Sequence, residues 1–152
     1  MIKANVISGH SNWIKNIENP NDYINKRLKI LSKAPFFKKK NHEFSVLLTN
    51  NKKMKKLNFK FRKKNKTTDV LSFPSNESLK TKKIGKKSFI YIGDIVINLS
   101  KLKINLNNKN FFSKFDETWV HGLTHLIGHK HKSKKDYLVM KKVENKFLKQ
   151  IN

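Results

Sequence analysis

The sequence predicts an α+β fold in which about five or six helices pack on a small mixed β-sheet. Three observations lead there. Glu43–Thr49 (EFSVLLT) reads as a strand, and apolar residues alternate at period two in Ser88–Asn98 (SFIYIGDIVIN). They recur at helical period over 111–128 and 134–151. The two kinds of segment are interleaved rather than grouped, as a layered α+β chain requires. The 152 residues fit one domain, 1–152, with no fixed-period repeat and no Gly-, Pro- or Ser-rich linker. A chain of that length can bury roughly 70% of its unfolded surface and needs no staples.

In chain order, residues 2–8 alternate weakly and read as a first strand. Asn19-Pro20 is a helix start, since proline suits the first helical position. Ile24, Leu28 and Leu31 then share one face, and Pro35 ends the run. After the Glu43–Thr49 strand, Asn50 can cap a basic helix carrying Met54, Leu57 and Phe61. Thr68–Phe73 is rich in β-formers and stops at Pro74; residues 75–87 read as a lysine-rich loop. Gly93 marks a bulge in the strand that follows. Helical periods return over 99–106, 111–128 and 134–151, the last with Ser133 and Asp136 in capping-box spacing.

Charge narrows the function. Lys+Arg number 35 against 10 Asp+Glu, a formal +25, and so many like charges oppose compaction unless a polyanion relieves them. Nucleic acid is the obvious polyanion. The alternative is compositional drift, with lysines scattered for solubility. Cysteine is absent, which excludes disulfides and thiolate metal sites and leaves His, Asp or Glu as ligands. The start of the chain lacks a signal-peptide core and no apolar run is long enough to span a bilayer, so a cytoplasmic protein without a membrane partner is expected. Charge alone leaves a peripheral anionic surface open.

The most informative stretch is HGLTHLIGHKH, residues 121–131, which holds four of the six histidines. His121 and His125 are one helical turn apart on one face. Gly128 lets the helix end and the chain turn back, so that His131 can complete a set of three nitrogens. Three protein ligands with a fourth position open is the catalytic arrangement of zinc; nickel, copper or iron also accept imidazoles. Phe111, Phe115, Trp119, Gly122, Leu123 and Leu126 form the apolar arc of this helix. His121 and His125 lie outside it, so they are ligands or solvated side chains rather than core. The spacing is that of the extended zincin helix, which predicts a zincin-like domain, but Gly122 stands where the protease glutamate would be. Peptide hydrolysis by that mechanism then lacks its general base.

With two further segments in view, the chain resembles the YbeY family of rRNA-maturation metallo-endoribonucleases. His121, Gly122, His125, Leu126, Gly128 and His131 match the family's H-G-x-x-H-L-x-G-Y-D-H helix. TDVLSFP is matched in full at Thr68–Pro74, and Gly93-Asp94-Ile95 matches its G-D-I strand. Leu57, Asn58 and Arg62 match an upstream Leu-Asn pair and arginine, and Met140 and Glu144 sit where the last helix carries such residues. The likeness covers roughly 43–150. His129 and Lys130 replace the family's tyrosine and aspartate, removing an acceptor beside the third histidine.

The resemblance implies a single-strand-specific, metal-dependent endoribonuclease with one zinc ion on His121, His125 and His131. It also implies action in 16S rRNA 3′-end maturation and ribosome quality control, with ribosomal RNA and the small subunit as partners. His121 and Arg62 are the catalytic candidates. Arg62, one of two arginines, can hold a phosphate through its planar fork, or simply end a basic helix. Lys56, Lys60, Lys63 and Lys64 are candidates for RNA contacts. Asp69 can orient a water or a histidine, or only cap a turn. His129 can stand in as a ligand, and Lys130 can oppose a cation while attracting phosphate; Asp94 reads as structural. The rival reading is a non-catalytic basic RNA-binding assembly factor with a structural or vestigial metal. A zinc deaminase is excluded because its metal motif needs cysteines.

Overall fold

A computed structural model of the chain describes residues 1–75, 81–84, 87–104 and 109–152. Five strands, β1 (Ile2–Ser8), β2 (His42–Thr49), β3 (Val70–Pro74), β4 (Thr81–Ile84) and β5 (Lys87–Asn98), form one sheet. Around it lie α1 (Pro20–Leu31), α2 (Pro35–Lys38), α3 (Asn51–Arg62), α4 (Leu99–Ile104), α5 (Phe111–Leu126) and α6 (Lys134–Ile151). The order is β1-β2-β5-β3, with β4 on the same side of β5 as β3 but along its first half. The β1–β2 and β2–β5 pairs are parallel and the other two antiparallel, so the sheet is mixed as expected.

Side-chain alternation divides the sheet into two faces. Phe44, Val46, Leu48, Ile95 and Ile97 face the main core, closed by Ile24 and Leu28 of α1, Phe115, Trp119 and Leu123 of α5, and Phe147 and Ile151 of α6. Leu71 and Val96 face a smaller core under Met54 of α3, with Leu47, Leu57 and Phe73 packed around it. The helix starts are chemically determined. Asn19, Asn50, Asn110 and Ser133 each accept a hydrogen bond from the backbone N–H three residues on, satisfying a donor the helix cannot.

Gly93 produces the expected irregularity. The pairing of β2 with β5 shifts between Glu43 and Ser45, because β5 holds one extra residue there. Gly93 has φ +132, and a Cβ would stand 2.2 Å from the Phe73 carbonyl oxygen, so glycine alone fits this contact between β5 and β3.

Two polar arrangements hold the periphery. Asp116 of α5 is buried, and its carboxylate accepts from Arg27 Nε (3.0 Å), Tyr23 Oη (3.1 Å) and Trp119 Nε1 (2.8 Å), tying α5 to α1. Burial pushes its pKa up, against the donors. At the sheet's edge, the outward N–H groups of Ile2, Ala4 and Val6 donate to Ser32 Oγ, Asn25 Oδ1 and Asn21 Oδ1, and Asn25 Nδ2 donates back to the Ala4 carbonyl.

Three expectations need correction. Residues 75–87 are not loop throughout: Thr81–Ile84 pair with Lys87–Ile90, while 76–80 and 85–86 lie outside the described residues. A TKKI strand carries no apolar alternation, so its backbone pairing left no trace in the pattern. The TDVLSFP strand begins at Val70 and includes Pro74, which an edge position tolerates. Pro35 does not merely end a helix but opens the short α2.

His42 lies buried against Phe36 and Phe37, its Nδ1 without a hydrogen-bond partner among the described residues. Burial and then the terminal ammonium lower its pKa from 6.5, so just below that pH the unfolded chain binds a proton that the folded chain refuses. Its contribution to stability is complete above about pH 6.5 and is lost as pH falls below it. Urea unfolding at pH 7.5 and 5.5 should show a larger loss of stability for the parent than for His42→Gln.

Candidate metal centre and its cleft

The site is built on the end of α5. His121 and His125 are half-buried, with ring planes crossing at 87° and Nε2 atoms 3.2 Å apart. Glu144 Oε1 of α6 accepts from His121 Nδ1 at 2.7 Å, and the His129 main-chain carbonyl accepts from His125 Nδ1 at 3.0 Å. A carboxylate and a carbonyl can only accept, so both rings carry hydrogen on Nδ1 and present an Nε2 lone pair. Two such lone pairs at 3.2 Å repel unless a cation lies between them. The separation is close to the ~3.4 Å expected for two nitrogens on one tetrahedral zinc.

The third histidine arrives through the helix end. Gly128 N–H donates to the His125 carbonyl and His129 N–H to the Thr124 carbonyl, with Gly128 at φ +101, which closes α5 in a Schellman turn. The turn brings the His131 ring to 5.0 Å from that of His125 and 6.0 Å from that of His121. One ligand atom from each of the three lies within 4.8 Å of the others, so the group could hold a metal ion. Burial, then the neighbouring His121, lowers the His125 pKa and favours the neutral, ligating form. Burial raises the Glu144 carboxyl, but the bonds from His121 and Lys141 outweigh it and hold the pKa below the usual value. His131 is exposed, and among the described residues no hydrogen bond holds its ring.

The histidines form one wall of a cleft of about 750 Å³ whose other wall is the outer edge of β3. Five cationic side chains line it, Arg62, Lys64, Lys66, Lys130 and Lys132, against one carboxylate, Asp69. Arg62 donates from Nη2 to the Ser72 carbonyl at 3.0 Å, which aims the guanidinium along β3. Asp69 Oδ1 accepts from Val70 N at 2.9 Å and Thr68 Oγ1 at 3.2 Å, so it caps its own turn at the cleft wall. Of the lysines singled out from the sequence, Lys64 lines the cleft, whereas Lys56, Lys60 and Lys63 are exposed on or just beyond α3 outside that lining. His129 supports His125 through its main chain, and Lys130 stands in the lining. Asp94, on another part of the sheet, accepts from Tyr91 Oη at 2.5 Å.

Sequence reasoning placed Glu144 on the last helix without seeing its contact. The available signal was a lone carboxylate on an apolar stripe, with Met140, Phe147 and Ile151 on the same buried face of α6.

The sequence model described as Endoribonuclease YbeY matches residues 9–152. The chain belongs to the YbeY family. It is 41% identical to the endoribonuclease YbeY of Pelagibacter ubique, over 98% of this chain and 97% of that protein. It is 34% identical to that of Buchnera aphidicola subsp. Acyrthosiphon pisum, over 76% and 72%. The solution structure of TM1509 from Thermotoga maritima shares the fold with a TM-score of 0.60 at 23% identity, covering 99% of this chain and 89% of that one. YbeY membership supports an RNA endonuclease, a class that a cationic cleft beside a three-histidine group suits.

The Glu144–His121 bond predicts a measurable support of metal binding. In chelator competition, Glu144→Ala should bind zinc about 10- to 100-fold more weakly than the parent, with Glu144→Gln in between because its amide oxygen still accepts from Nδ1.

Proposed function

We propose that the protein is a zinc-dependent endoribonuclease that cleaves single-stranded RNA, acting in 16S rRNA 3′-end maturation and ribosome quality control in the cytoplasm, on the small ribosomal subunit. The observation that carries the cleavage reading is the facing of two walls: three imidazoles opposite Arg62 across a cleft lined by lysines. Family membership supports the nuclease activity, and the donor set of three nitrogens without thiolate or carboxylate fits zinc.

His121, His125 and His131 would hold the ion, which supplies Lewis acidity toward a phosphoryl oxygen and acidifies water at neutral pH. The chain's own groups do the rest. Glu144 and the His129 carbonyl fix the tautomers of two imidazoles. Arg62, aimed by Ser72, binds a phosphate through its other N–H groups and meets the charge that develops on it. Lys64, Lys66, Lys130 and Lys132 hold the flanking phosphates. RNA carries its own 2′-hydroxyl, so the protein need not supply a nucleophile.

One observation favours the rival reading of a non-catalytic RNA-binding assembly factor: Lys130 sits in the lining next to an unbraced His131. Cleavage of a single-stranded rRNA 3′-end fragment separates the two. The metal-loaded parent should cut it, and His125→Ala should bind but not cut; binding without cleavage by either protein would select the assembly factor. Binding by both should weaken steeply as salt rises. Arg62→Lys keeps the charge but loses the fork. It should slow cleavage about 100-fold, within the range for losing one transition-state donor, while the Kd for RNA changes less than threefold.

A further inference from the structure

Helix α3 exposes two large aromatic rings. Phe59 and Phe61 are each 56% exposed, although the exposed positions around them are lysine, arginine or asparagine. Neither ring belongs to either core. Their placement relative to the cleft is specific. At about 100° per residue, Asn58 and Arg62, the two α3 residues in the cleft lining, fall between them, with Phe61 to one side and Phe59 to the other. Phe61 is also joined to β3, the strand that carries the cleft wall. Its ring meets Phe73 of β3 at 5.2 Å between centroids, and the Arg62 guanidinium lies 6.0 Å from the same Phe73 ring. Lys60 Nζ stands 5.2 Å from the centroid of Phe61.

We infer that Phe59 and Phe61 are base-stacking platforms for unpaired nucleotides that flank the phosphate held at Arg62. Charge decides the occupant. The rings stand on a helix whose lysines attract a polyanion, and they flank Asn58 and Arg62, which line a cationic cleft. A nucleobase offers the apolar face that such a ring stacks on, and alternating lysines and aromatics are the means by which proteins hold single strands without reading sequence. Bases inside a duplex keep their faces stacked on each other and cannot reach the rings. The platforms therefore select unpaired RNA. The inference rests on the proposed RNA substrate and adds which residues distinguish its single-stranded form.

The test uses the full chain, with chelator present to stop cleavage, and a single-stranded oligoribonucleotide carrying 2-aminopurine. Binding by the parent should quench the fluorescence. Phe59→Leu and Phe61→Leu keep an apolar residue on the helix, and both change exposed side chains outside the two cores, so folding is preserved. Each should reduce the quenching and weaken binding about tenfold, and the double variant should lose preference for single strand over duplex. The slope of binding against salt should stay that of the parent, because the phosphate contacts remain. Unchanged quenching and affinity in both variants, with a parent that still cleaves RNA, would overturn the platforms and leave the nuclease standing. A parent that binds no RNA would overturn both.

Discussion

The site depends on one close approach. A Cβ on residue 122 would lie 2.8 Å from Ile95 Cγ2 and 2.9 Å from its Cδ1, so α5 can press on β5 at this depth only where the helix carries no side chain. That approach fixes the height of the helix above the sheet, and with it the position of the neighbouring histidine. Residue 121 is turned sideways because residue 122 points down. The same geometry explains why the protease glutamate has no place here. A side chain after the first histidine would drive into Ile95 rather than reach a cleft.

With only ten acidic residues against 35 basic ones, where the acids go is informative. Two of the buried polar groups are carboxylates, Asp116 and Glu144, and both brace α5. Asp116, on the helix itself, ties it to α1 through Arg27 and Tyr23; Glu144 reaches it from α6. Each is buried with donors on both oxygens, which is what makes a charge tolerable away from water. The two arginines divide accordingly. Arg27 completes an internal ion pair, whereas Arg62 touches a backbone carbonyl and keeps its remaining donors toward the cleft. Scattered lysines then leave the surface cationic with little internal compensation.

Much of this was legible in the sequence because local chemistry and tertiary packing agree. Asn19, Asn50 and Ser133 cap where their side chains say they should, and the apolar alternation in β5 marks a strand with one face on the main core, as the structure has it. The ligand group was legible because its three members sit within one turn and one loop, where spacing determines geometry. What escaped depends on distance along the chain or on backbone alone. Glu144 is 23 residues from His121 and meets it only through the packing of α6 on α5. β4 is recruited by backbone pairing that lysine side chains do not announce. His129 drew notice for its imidazole, yet its contact is a carbonyl, which every residue possesses.

The β1 edge of the sheet is covered from within its own chain, and this bears on how molecules of this protein meet each other. Along β1 the outward amides of Ile2, Ala4 and Val6 are already answered by Ser32, Asn25 and Asn21, so a neighbouring strand arriving there finds these three donors taken. A concentrated solution is thereby denied one route to fibrous growth, which needs two receptive edges on each molecule to propagate. Growth from the β3 side alone would stop at pairs.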